Sequence, residues 1–217
     1  MDKISPFLAA LLAQGPVKAD GYTYFMYGDR LRKCKSKRGP KKNITEREMK
    51  NSNRFTEARK MWRIYKRTIG DLAIWSIWAR ETGASKSDSL FHSTNGGCFR
   101  PGKGVWSFQT FRFSVGSLEA PAITGTERDG WTVTLHWEND EERPKASMSD
   151  QVFVGFFYGS APRSPLLAKG LSACRGDGSV TIDIPPAGQP DGVPLHLYLF
   201  FGDKELNHFS PSEYAGV

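Results

Sequence analysis

The stretch WTVTLHW, residues 131–137, sets Trp131, Val133, Leu135 and Trp137 against Thr132, Thr134 and His136. Strict alternation marks a strand with one buried face, because successive side chains of an extended chain point to opposite sides. Downstream, VFVGFFY (152–158) is a nearly continuous apolar run, SVTIDI (179–184) places Val180, Ile182 and Ile184 on one side, and LHLYLFF (195–201) does so with Leu195, Leu197, Leu199 and Phe201. Turn signals separate them: Asp129-Gly130, the GDG at 176–178, Pro185-Pro186 and AGQPDG. Strands of this kind with no helical pattern between them predict an antiparallel β-sandwich of immunoglobulin or fibronectin III style over residues 105–217. The inter-sheet disulfide of antibody domains has no counterpart, so the expectation rests on pattern.

Upstream the period changes to that of a helix. Thr45 and Glu48 form a T-x-x-E capping box, and Ile44 and Met49 stand where a hydrophobic staple would place them. Phe55, Ala58, Trp62, Tyr65 and Ile69 then recur at spacings of three and four, with Arg59, Lys60, Arg63, Lys66 and Arg67 largely opposite. An amphipathic helix with a cationic back is predicted, ending at Gly70. Asp71 is expected to cap a second helix, LAIWSIWARETG (72–83), whose nearly all-round apolarity predicts burial, with Trp75 and Trp78 sharing a face. A short helix is expected at DSLFHS.

The amino-terminal part carries a hairpin signal. YTYFMY (22–27) and RLRKCK (30–35) flank Gly28-Asp29, and Gly in the first position of a two-residue loop suits a type II′ turn. That register pairs Tyr27 with Arg30, Met26 with Leu31, Phe25 with Arg32 and Tyr24 with Lys33. The basic run RLRKCKSKRGPKK (30–42) holds eight Lys or Arg and no acid, and breaks at Gly39-Pro40. Taken together, the chain reads as α+β: a basic hairpin-plus-helix module over 1–104 followed by the sandwich.

Composition bounds the function. The 217 residues are 39% hydrophobic and 24% charged, an ordinary globular balance, and no stretch approaches the roughly 20 apolar residues of a membrane helix. The opening MDKISPFLAALLAQGP has a short apolar run, but Asp2 offsets Lys3, Pro6 interrupts it and no convincing cleavage site follows, so it reads as mature sequence. Cys34, Cys98 and Cys174 are odd in number and in no C-x-x-C pattern, which signals neither zinc nor a disulfide framework and suits a reducing, cytoplasmic setting. The net charge of +7 is uneven: residues 1–110 hold 22 Lys or Arg and 9 Asp or Glu, while residues 111–217 hold 8 and 14. One half attracts polyanions and the other repels them.

Several motifs fall short of the context they need. GCFRPGKG (97–104) spells most of a Walker A loop, but Gly104 stands where a Ser or Thr would hold magnesium. The preceding SLFHSTNG is no buried strand, and the following VWSFQTFRF reads as a strand rather than a helix. Arg175-Gly176-Asp177 is an RGD tripeptide where a hairpin tip would display it, yet Gly and Asp are favoured in turns for backbone reasons alone. His92, His136, His196 and His208 are scattered with no metal-ligand spacing, His136 and His196 pointing away from the core-facing sides of their strands. The run Glu138, Asp140, Glu141, Glu142 looks like a solvated loop. No metal, no cofactor and no catalytic residue is indicated, and a non-enzyme is expected.

The basic ribbon offers phosphate neutralisation together with stacking worth roughly 1–3 kcal/mol per base on an exposed ring. Arg30, Arg32, Lys33, Lys35, Lys37, Arg38, Lys41 and Lys42 are the candidate polyanion contacts, and Tyr24, Phe25 and Tyr27 the candidate stacking residues. The bland alternative is that the rings pack on the tryptophan helices while the lysines serve solubility, since an isolated hairpin is marginal in water and packing must claim at least one face.

The order GPVKADGYTYFMYGDRLRKCKSK, KKNITEREMKNSNRF, the tryptophan helices, FRFSVGSL, LHLYLFF and a terminal SEYAGV resembles an uncharacterised bacterial family of Bacteroidota, a domain of unknown function. The matching positions are Thr45, Glu48, Arg54, Phe55, Ser114, Gly116 and Leu118, with Glu48 where the family often has Gln. The resemblance implies a basic hairpin, a helix start leading to R-F, and an S-x-G-x-L bridge into an immunoglobulin-like tail. It implies no activity or cofactor, and the association of such families with phage-derived regions implies a structural or assembly role. Two expectations follow: a binding or scaffolding protein that contacts nucleic acid or another polyanion, and a structural or adhesive assembly protein, virion or exported surface component, that uses the sandwich for protein contacts or self-association.

Overall fold

A computed structural model describes residues 6–27, 30–37, 43–138 and 143–217. Gly28-Asp29, Arg38, Gly39-Pro40, Lys41, Lys42, Asp140, Glu141 and Glu142 lie outside the described residues. The fold is mixed α+β, with an N-terminal hairpin and helices followed by antiparallel sheets. By their contacts, the residues divide into two compact units, Met1–Thr45 and Glu46–Val217.

The smaller unit holds helix α1 (Pro6–Ala13) and strands β1 (Val17–Ala19), β2 (Tyr22–Tyr27) and β3 (Arg30–Lys35) in one antiparallel sheet, order β1-β2-β3. Neither α1 nor β1 is expected from the sequence pattern. The signal for β1 is Asp20-Gly21: both residues have positive φ, 51° and 75°, as a two-residue I′ hairpin loop requires, and Ala19 pairs with Tyr22 across it.

In the larger unit, helix α2 spans Glu46–Ile69, directly after Thr45 as the capping signal predicts. Its buried residues are Glu57, Ala58, Met61, Tyr65 and Ile69, while Trp62 is half-buried and Phe55 is exposed, its ring meeting His92 edge-on at 5.0 Å. Met61 and buried Glu57 therefore replace Phe55 in the expected stripe. Gly70–Leu72 forms a single 3-10 turn, and α3 (Ile74–Glu81) starts from Ala73 in the left-handed region at φ 50°. Asp71 thus lies inside the preceding turn and is not the cap. Ile74, Trp75, Ile77 and Ala79 are buried, whereas Trp78 is only partly so. Helix α4 (Ser87–Asn95) covers the expected DSLFHS segment.

A two-residue hairpin, β4 (Phe99–Arg100) and β5 (Gly104–Val105), follows. The expected strand over 105–113 stops at Val105, and the rest is turn and irregular. Its backbone groups are held by side chains rather than by a neighbouring strand. Asn95 exchanges hydrogen bonds with Arg112 N–H (2.7 Å) and C=O (3.0 Å), Tyr65 Oη donates to Phe113 C=O (2.8 Å), and Ser212 Oγ accepts from Phe113 N–H (3.0 Å). This is the satisfaction that a buried irregular backbone demands.

Among the described residues seven strands follow: β6 (Ile123–Asp129), β7 (Thr132–Trp137), β8 (Gln151–Tyr158), β9 (Leu166–Leu167), β10 (Ser179–Asp183), β11 (Leu195–Gly202) and β12 (Glu213–Gly216). They form two antiparallel sheets, ordered β10-β7-β6 and β12-β11-β8-β9. One core joins the sheets: Val133, Leu135 and Trp137, with Val180 and Ile182, meet Val152, Val154, Phe156, Leu195, Leu197, Leu199 and Phe201. A second core lies on the opposite side of β8 and β11, where Phe157, Tyr198 and Phe200 meet Met61, Tyr65, Trp75, Phe91, Phe111 and Phe113. The four-stranded sheet is thus buried on both faces, which is why VFVGFFY reads as a continuous apolar run while WTVTLHW alternates. At roughly 1.5–3 kcal/mol per fully buried large apolar side chain, these two layers dominate the stability of the unit.

Candidate nucleic-acid interface

The β2–β3 register is the one the sequence predicts: Tyr27 opposite Arg30, Met26 opposite Leu31, Phe25 opposite Arg32 and Tyr24 opposite Lys33. Directly paired residues share a face and alternate residues do not. One face therefore carries Val17, Ala19, Tyr22, Tyr24, Met26, Leu31, Lys33 and Lys35, and the other carries Lys18, Thr23, Phe25, Tyr27, Arg30, Arg32 and Cys34. The three candidate stacking residues are consequently split, with Tyr24 behind the sheet that presents Phe25 and Tyr27. On the Tyr24 face, Lys33 Nζ stands 5.2 Å from the centroid of the Tyr22 ring.

Arg30, Arg32, Lys33, Lys35 and Lys37 are all exposed. Tyr27 is 74% exposed, and Tyr24 and Phe25 are half-buried. Among the described residues, no carboxylate pairs with any of these five cations. Composition explains this: residues 1–45 hold ten Lys or Arg against three Asp and no Glu, so the unit carries the whole net charge of +7. The Arg30/Arg32 face, with Lys18 contributed by β1, is the denser arrangement of guanidinium groups beside an open ring. Lys18 is missed by reading the β2–β3 hairpin alone, and becomes visible once Asp20-Gly21 is read as a second hairpin loop.

The remaining motifs resolve differently. The RGD tripeptide forms a 3-10 turn, Arg175–Asp177, rather than a displayed hairpin tip. Arg175 is buried: its Nε donates to Asp150 Oδ2 at 3.1 Å, its Nη2 to Glu119 C=O at 3.0 Å, and its guanidinium lies 3.9 Å from the Phe201 ring centroid. The near-Walker segment is the β4–β5 hairpin. At Gly104, φ is +78° and a Cβ would come within 2.9 Å of Pro162 C=O, so packing against Pro162 accounts for the glycine.

His196 points to the helix-covered side of its sheet. Its ring stacks on Phe108 at 3.6 Å and its Nδ1 is hydrogen-bonded to Tyr214 Oη at 2.8 Å, with burial pushing its pKa down. Among the described residues no three His, Cys, Asp or Glu gather as a metal site, and no helix is long and apolar enough to cross a membrane.

The S-x-G-x-L stretch is held by two adjacent residues, Phe209 and Ser210. Ser114 Oγ donates to Ser210 C=O at 2.8 Å, Leu118 N–H donates to Phe209 C=O at 3.0 Å, and a Cβ on Gly116 would fall 1.9 Å from that same Phe209 oxygen. No protein-family model matches the chain, and no curated protein is significantly similar to it.

Proposed function

We propose that this is a non-enzymatic binding or scaffolding protein whose basic N-terminal unit contacts a nucleic-acid strand. The observation that carries the reading is the grouping of Arg30, Arg32 and the open ring of Tyr27 on one sheet face, with no carboxylate beside the cations among the described residues. Guanidinium groups neutralise phosphates bidentately and an exposed ring stacks on any base, so the face suits a strand read without sequence preference. Lys33, Lys35 and Lys37 add charge from the other face and the end of β3.

We read the two-sheet part of the larger unit as a β-sandwich of fibronectin III style. Lettering its seven strands A, B, C, C′, E, F and G in chain order, the sheets run E-B-A and G-F-C-C′, with β9 as the edge strand C′, and this order supports the reading. In this picture the sandwich serves protein contacts, the protein works in the cytoplasm, and the resemblance to the Bacteroidota family stands as a proposal about descent.

The test is binding to single- and double-stranded DNA and RNA across a salt series, beside Arg30→Gln/Arg32→Gln/Lys33→Gln/Lys35→Gln. The expected result is an affinity that falls with log salt, with a slope shallower in the variant by about 0.7–0.9 for each phosphate no longer neutralised. No binding in the parent, or unchanged binding in the variant, overturns the reading. The second reading, a phage-derived or surface assembly protein, draws on the uneven charge of the chain, and salt-sensitive self-association without nucleic acid favours it.

A further inference from the structure

A hollow of about 530 Å³ opens between α2, α3 and the start of α4 in the larger unit. Three cations line it, each from a different segment: Lys66 on α2, Arg80 on α3, and Lys86 at the N-cap of α4. Helical spacing brings them there. Trp62 and Lys66 are four apart on α2, with Lys66 Nζ 6.0 Å from the Trp62 ring centroid, and Ser76 and Arg80 are four apart on α3. The turn after α3 passes through Gly83 at φ 67° and leads Ser85, Lys86 and Ser87 back to the same rim.

Asp88 is the one carboxylate of the lining, and its Oδ1 accepts the Ser89 N–H at 2.8 Å. None of the three cations pairs with a carboxylate among the described residues. This contrasts with Lys60 on the same helix, which pairs with Glu57 at 3.1 Å. The larger unit, residues 46–217, balances 20 basic with 20 acidic residues, but its helical part, residues 46–110, holds 12 Lys or Arg against 6 Asp or Glu, and the hollow lies in this cation-rich part.

The lining also includes Ser76, Ser85 and Ser87 beside Trp62, Ala79 and Ala84, and it takes in the first turn of α4, whose N-cap Lys86 supplies no side-chain cap. Three cations, three serines and a helix start border one volume, a combination that suits a phosphate.

We propose that this hollow is a phosphate-binding site of the larger unit, taking the phosphate of a nucleotide, either free or within a strand. It is independent of the basic N-terminal sheet. The test is titration of the ¹⁵N-labelled full chain at constant ionic strength with AMP, with a short single-stranded oligoadenylate, and with adenosine as the phosphate-free control. Saturable shifts at the Ser85, Ser87 and Asp88 amides are expected with AMP or with the oligonucleotide. They should be absent with adenosine, at least tenfold weaker in affinity in Arg80→Gln/Lys86→Gln and in Lys66→Gln, and retained in Arg30→Gln/Arg32→Gln. Shifts with AMP assign a free nucleotide, and shifts with the oligonucleotide alone assign a strand. No saturation with either, equal shifts with adenosine, or undiminished affinity in both hollow variants overturns the proposal, whatever the N-terminal sheet binds.

Discussion

Arg175 and Asp150 form an ion pair at 3.1 Å with both side chains almost fully excluded from solvent, the guanidinium lying over the Phe201 ring. The main-chain oxygen of Arg175 also accepts the Trp137 indole N–H at 2.9 Å, so the residue ties one sheet's edge to the floor of the core between the sheets. Asp150→Ala leaves a buried guanidinium without its counter-charge, and a loss of about 3–5 kcal/mol is expected, read as the shift in the urea midpoint. The same burial predicts no RGD-dependent cell adhesion by the folded protein, which an attachment assay with a competing RGD peptide checks.

The two faces of the N-terminal sheet differ in what they offer a strand. Arg30→Gln/Arg32→Gln, which strips the face of Phe25 and Tyr27, is expected to weaken single-strand binding more than Lys33→Gln/Lys35→Gln. Equal total charge in the two variants makes the comparison one of geometry, and fluorescence anisotropy at matched salt measures it.

Tyr27 is largely open to solvent, so its ring is available without unfolding anything. Tyr27→Ala is expected to cost about 1–3 kcal/mol of single-strand affinity, the worth of one base stacked on a ring, while leaving the melting temperature unchanged. Tyr24→Ala, on the opposite face and half-buried, is expected to show the reverse balance.

On the helix-facing side of β8, a Cβ at Gly155 would sit 2.3 Å from the Phe113 ring. Gly155→Ala therefore forces the ring or the sheet to move, and an overpacking cost of about 1–3 kcal/mol is expected. Adding Phe113→Leu, which vacates part of that volume, should make the two changes non-additive in a double-mutant denaturation cycle.

His196 is held between Phe108 and Tyr214, and burial lowers its pKa below the unfolded value of about 6.5. The folded state then binds fewer protons than the unfolded state below that pH, so stability falls as the solution is acidified through the window beneath it. His92, lowered principally by burial as well, acts in the same direction. His196→Gln should flatten part of the pH dependence of the melting temperature below about pH 6.5, and an unchanged profile contradicts this.

Much of this architecture was legible in the chain because local signals and tertiary demands agree. Thr45 stands directly before α2, WTVTLHW and SVTIDI alternate because each strand has one face on a core, and the β2–β3 register follows from a two-residue loop. The failures come where tertiary contacts overrule pattern. Phe55 has the right spacing for the buried stripe but sits at the exposed end of α2, while Glu57 is buried because Lys60 and Arg163 both reach its carboxylate. The aromatic run 105–113 has strand composition, yet Asn95, Tyr65 and Ser212 supply its hydrogen bonds from distant parts of the chain. The exposed basic strand was legible in charge and register. Its division into two faces with Tyr24 on the wrong one follows from the period of two, and the cations around the hollow were invisible because α2, α3 and α4 meet only in the folded chain.

The aromatic side of the β8 and β11 sheet is covered in two steps: Phe111 and Phe113 lie against Phe157 and Tyr198, and Tyr65 and Phe91 of the helices close in turn over Phe113 and Phe111. A gene fragment starting at residue 105 would keep every one of the last seven strands and still deliver a molecule with a greasy, ring-studded wall turned to water. Such a fragment should bind hydrophobic dyes and precipitate, whereas one starting at residue 43 should stay in solution. The helices are the lid of the β half, and the place where the sequence changes its rhythm is not a place where the protein can be cut.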